Sequence, residues 1–111
     1  MEKIHNKLVR DNIPDIIEKS GREPIAHTLD DKQYKAELEK KLYEEYEEML
    51  KTETSQERIE ELADIIEIVA SLAKLEGKTL EDVMVVAKEK TRKRGGFDKK
   101  IFLERVISKD D

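Results

Sequence analysis

The sequence predicts an all-α protein: a small, mostly antiparallel helical bundle with short extended segments at its N- and C-terminal ends. Three observations lead there. Apolar residues recur at helical spacing through two long stretches, residues 31–51 and 55–76. Capping and stop residues bracket those stretches. The connections are short, which makes consecutive helices antiparallel neighbours. The chain has 111 residues, a length suited to one domain, taken as 1–111.

The elements follow in order. "KIHNKLV" (3–9) reads as extended. "RDNIPDIIEKSG" reads as a short helix, with Pro14 in its first turn, Ile13, Ile16 and Ile17 on one side, and Gly21 as its stop. "REPIAHTL" is extended, because the residue before Pro24 is biased away from helix. Asp30 or Asp31 caps the next helix, which runs to about Lys51. Thr54 and Glu57 have capping-box spacing and open a helix that Gly77 ends. Thr79 with Asp82 opens another helix, which reaches about Arg94 and stops at Gly95 and Gly96. "FDKKIFLERVI" is compatible with a strand or with an ordered tail.

Composition narrows the function classes. Charged residues make up 44% and hydrophobic ones 37%, but the apolar periodicity argues against disorder. A net charge of −5 argues against general nucleic-acid binding. With no cysteine, disulfides, thiol catalysis and thiolate metal sites are excluded. No apolar run approaches the roughly 20 residues of a membrane span, and the N-terminus lacks a signal-peptide core. The expectation is a soluble cytoplasmic protein with no membrane partner.

The informative anomaly is "YEEYEEML" (43–50). With Leu38 placed at 0°, a step of about 100° per residue puts Met49 near 20°, Leu42 near 40° and Tyr34 near 320°. Glu45 falls at about 340°, inside this apolar stripe, and Glu48 at about 280°, on its edge. In the following helix, with Leu62 at 0°, Ile66, Val69 and Ala73 lie within about 40°. Ile65, Leu72, Ile68 and Leu75 widen the arc to between about 220° and 300°. Glu61 sits at about 260° between Ile68 and Leu72, and Asp64 at about 200°. So wide an arc suggests packing on two sides, one of them another subunit.

Two helices thus each direct an acid pair, spaced i, i+3, into an apolar face. Buried carboxylates cost several kcal/mol each unless compensated, and four together also repel. Lys41 has the spacing to pair with Glu45 or Glu48, but one lysine does not balance four acids. In a chain this charged, most Glu pairs at that spacing are simply solvated. A divalent cation is the economical alternative here. Oxygen-only donors point to Mg²⁺, with Mn²⁺ as a substitute. Mg²⁺ commonly shares its ligand sphere with substrate phosphates.

"EEYEE" (44–48) followed by "ELAD" (61–64) resembles the EExxE…ExxD signature of the MazG-like, all-α nucleoside triphosphate pyrophosphohydrolases. "KLVRDNIPDIIEKSG" and "KRGGF" further resemble a small single-domain subgroup described as phosphoribosyl-ATP pyrophosphohydrolase-like. The resemblance covers nearly the whole chain. It implies Mg²⁺-dependent cleavage between the α and β phosphates of a nucleotide, releasing a monophosphate and pyrophosphate. It implies Glu45, Glu48, Glu61 and Asp64 as metal ligands. Glu44 would be an alternate ligand, a support for the ligands, or a group orienting the attacking water; Glu44, Glu45 and Glu48 are thus the catalytic candidates. It also implies a homodimer, or a tetramer built from dimers. "LVRDNIP" departs from the opening of true phosphoribosyl-ATP pyrophosphohydrolases, which favours a house-cleaning nucleotide hydrolase over histidine biosynthesis. A non-catalytic helical interaction module is the rival from another class.

"KEKTRKRGGF" (88–97) is the dense basic run. Cations there suit the negative end of a helix dipole. Under the resemblance, Lys90 and Arg94, and less strongly Lys93, contact the phosphates of the substrate. Arg10 and Asp11 read as an ion pair or cap at the first helix, or as part of an active site with no role yet assigned. His5 and His27 lie off the carboxylate helices and read as surface or packing residues. The aromatic residues Tyr34, Tyr43, Tyr46, Phe97 and Phe102 fit base stacking and core packing equally well.

Overall fold

Asp30 and Thr54 do for the two long helices what their side chains allow. Asp30 accepts a hydrogen bond from the Gln33 amide at 2.8 Å and opens α2, Asp31–Leu50. Thr54 accepts from the Glu57 amide at 3.1 Å and opens α3, Ser55–Leu75. Glu57 in turn accepts from the Glu53 amide at 3.2 Å, one residue before the cap, so the reciprocal half of the box is displaced by one position. These bonds satisfy amides that the first helical turn leaves without carbonyl partners. Residues 1–109 are described by the computed structural model.

Before these lies α1, Ile13–Lys19, with Pro14 in its first turn. Asn12 occupies its N-cap position without a side-chain cap bond. The C-terminus of α3 ends in a Schellman turn: Gly77 donates to the Lys74 carbonyl at 3.0 Å and Lys78 to that of Ala73 at 2.9 Å. Gly77 adopts φ of +73°, a left-handed conformation that costs other L-residues energy. Both long helices end one residue earlier than their spacing predicts, at Leu50 and Leu75.

All regular structure among the described residues is helical, as the sequence predicts. The segments before α1 and between α1 and α2 form no strand. No helix is long and apolar enough to cross a membrane among the described residues.

The chain divides into two units, Met1–Leu80 and one beginning at Glu81. In the first, α2 and α3 pack against each other as a hairpin. Its centre is Leu38 and Ile68, 3% and 5% exposed, with Ala73 nearby at 7%. Ile65, Leu72 and Leu75 are half-buried, whereas Leu62 and Ile66 are 40% and 53% exposed. The wide apolar arc of α3 is therefore used unevenly. Its Ile68 side is covered by the hairpin, and its Ile59–Leu62–Ile66 stripe is exposed.

The second unit contains most of α4, Leu80–Arg94. Glu81 and Asp82 lie in its first turn and Arg92, Lys93 and Arg94 in its last, matching the helix dipole. "FDKKIFLERVI" forms neither strand nor helix, and Phe97, Ile101, Phe102, Leu103, Val106 and Ile107 are exposed.

Candidate metal centre

α2 and α3 each contribute acids to the seam between them. Glu45 from α2 and Glu61 and Asp64 from α3 place carboxylate oxygens within 4.8 Å of one another. The reason lies in rotation about α3. Glu61 shares the angular sector of Ile68 and Leu72, so the same packing that buries Ile68 turns Glu61 toward α2. Asp64 stands at the edge of that sector and keeps 41% of its side chain exposed.

Glu61 is the residue under strain. Its Oε2 is buried and has no hydrogen-bond partner. Glu45 lies within hydrogen-bonding distance, but two carboxylates can share a bond only if one is protonated. As two anions they leave Oε2 without a donor. Proton sharing with Glu45 accordingly pushes the Glu61 carboxyl up from 4.5 to about 7. Burial and the charges of Glu45, Asp64 and Glu48 push in the same direction.

Two cations partly compensate. Lys41 Nζ stands 3.8 Å from Glu45 Oε1, one turn away on α2. Arg10 Nη2 donates to Asp64 Oδ1 at 2.7 Å, across 54 positions of sequence. The Arg10 contact is not the local ion pair or cap that "LVRDNIP" suggests. A link this distant has no periodic signal in the sequence, so only the packing of the N-terminal segment discloses it.

The other predicted residues fall differently. Glu48 is exposed and outside the close trio, although near enough for its charge to act on Glu61. Glu44 is half-buried on α2, also outside the trio. On α4, Lys93 Nζ is 3.7 Å from Glu89 Oε1, and Arg92 grips both oxygens of Glu89 at 2.7 and 3.1 Å. Lys90 and Arg94 are exposed.

The trio fits a hard divalent cation. Its donors are all oxygens, with neither His nor Cys among them. Mg–O bonds of about 2.0–2.1 Å place ligand oxygens within about 4.2 Å of each other. Exposed acids cluster often without binding anything; a buried carboxylate oxygen with no donor sets this group apart.

No family model matches the chain, and no solved structure matches it. It is 44% identical over 54 residues to an uncharacterized protein of Mycolicibacterium smegmatis. That stretch covers 49% of this chain and 55% of the mycobacterial protein, so the chain spans about half the length of the curated relative it matches.

Proposed function

We propose that this chain is a Mg²⁺-dependent nucleotide pyrophosphohydrolase that cleaves a nucleoside triphosphate between its α and β phosphates. The observation that carries the reading is the meeting of Glu45, Glu61 and Asp64 around an orphaned buried oxygen. It joins the resemblance of "EEYEE" and "ELAD" to the pyrophosphohydrolase signature.

In this reading Glu45, Glu61 and Asp64 would hold Mg²⁺, or Mn²⁺ in its place, with Glu48 as the fourth ligand that the resemblance implies. When bound, the ion would supply positive charge to phosphoryl oxygens. Glu44, one residue from Glu45 on α2, orients the attacking water. Hydrolysis would form a bond between a water oxygen and phosphorus as the bond to the α–β bridging oxygen breaks, with the electron pair leaving on that oxygen and the proton lost by the water passing to solvent, giving a monophosphate and pyrophosphate. On the second unit, Lys90 and Arg94 keep the phosphate-binding role that the resemblance implies, while Lys93 is already engaged by Glu89. The exposed stripe of Ile59, Leu62 and Ile66 supports a homodimer, or a tetramer of dimers, that covers it.

A panel of common and damaged nucleoside triphosphates, together with phosphoribosyl-ATP, tests the reading by pyrophosphate release. Release is expected for at least one compound, dependent on Mg²⁺ and abolished by chelation or by Glu45→Gln. Release from phosphoribosyl-ATP alone would move the chain to histidine biosynthesis. No release from any compound would favour a non-catalytic helical module, for which the exposed α3 stripe would be the docking face.

A further inference from the structure

Arg10 belongs to no helix, yet its position is well defined. The Ile13 amide donates to its carbonyl at 3.0 Å, which fixes the backbone where α1 begins. Leu8 and Val9, just before it, are half-buried. From this anchor the guanidinium reaches Asp64, one of the three clustered carboxylates. A guanidinium has five N–H donors in a planar fork. Only the Nη2–Oδ1 bond engages it among the described residues, and 54% of the side chain is exposed.

We propose that Arg10 is a phosphate-binding residue of the carboxylate site, an inference that rests on the metal-dependent reading above. Three features favour this over a merely structural ion pair. An exposed Arg–Asp pair contributes little to folding, so stability alone does not account for a contact spanning 54 residues. Asp64 is shared: a cation drawn to its carboxylate weakens its hold on Arg10 and leaves the fork seeking another anion. A phosphate would reach such a cation from solvent, and 54% of the Arg10 side chain and 41% of the Asp64 side chain are exposed to it. Arginine suits this role better than lysine, because its fork grips two phosphate oxygens at once.

Calorimetric titration of the full chain with Mg²⁺ alone, and then with inorganic pyrophosphate in saturating Mg²⁺, separates the possibilities. In Arg10→Gln, Mg²⁺ affinity is expected to equal or exceed that of the wild type, because a positive neighbour is gone. Pyrophosphate affinity is expected to fall by about tenfold or more, the usual effect of losing a charged hydrogen bond. Arg10→Lys, which keeps the charge and loses the fork, is expected to fall between the two. Parallel loss of Mg²⁺ and pyrophosphate binding in Arg10→Gln would reduce Arg10 to a support for Asp64 and overturn the assignment. Unchanged pyrophosphate affinity overturns it too, with the metal site intact. A wild type that binds no Mg²⁺ would overturn the metal reading itself, and the role of Arg10 with it.

Discussion

Replacing Glu61 by glutamine removes one anion from a crowded seam and supplies an N–H donor next to Glu45. The metal-free protein is therefore expected to become more stable. At pH 8 the wild type holds Glu61 ionised against a folded-state value of about 7, raised from 4.5. A displacement of that size corresponds to about 3 kcal/mol, which partial solvent access at the seam lowers to roughly 1–2 kcal/mol. For a unit of this size, each kcal/mol moves the midpoint by about 4–8 °C, so a rise of about 5–15 °C is expected in chelator. Mg²⁺ narrows that gap. At ten times its dissociation constant it stabilises the wild type by about 1.4 kcal/mol, whereas Glu61→Gln has lost a ligand and gains little. Thermal melting followed by far-UV circular dichroism, with chelator and with Mg²⁺, gives the four numbers required. Equal Mg²⁺ stabilisation of both proteins would refute the reasoning, as would a Glu61→Gln variant less stable than wild type in chelator.

Two further outcomes follow from the same structure. The metal-free wild type should lose stability as pH rises from about 4.5 to about 7, because its folded state retains a proton on Glu61 that the unfolded chain has released. Urea midpoints across that range check the sign, and saturating Mg²⁺ should flatten or invert the slope. Leu38→Ala empties the centre of the α2–α3 contact, where Leu38 is 3% exposed, and should cost about 2–5 kcal/mol in chemical denaturation. A cost below about 1 kcal/mol would mean that the hairpin core lies elsewhere.

What the sequence determined is what short-range chemistry determines. Asp30, Thr54 and Gly77 set helix ends within one turn of themselves, and each performs the expected bond or backbone conformation. The angular positions of Glu45 and Glu61 place them toward an apolar face before any partner is known, since a helix has a fixed pitch. Tertiary structure decided the rest. The four acids satisfy the same angular criterion with different margins, and it is the rotation of α3 against α2 that gathers Glu45, Glu61 and Asp64 while leaving Glu48 at the rim. The same rotation buries Ile68 and exposes Leu62, although both belong to one continuous apolar arc. Arg10 meets Asp64 only because the chain folds back across 54 residues. Pitch is a property of the local backbone and is written in consecutive residues; offset, rotation and long-range charge pairing arise only when two elements touch.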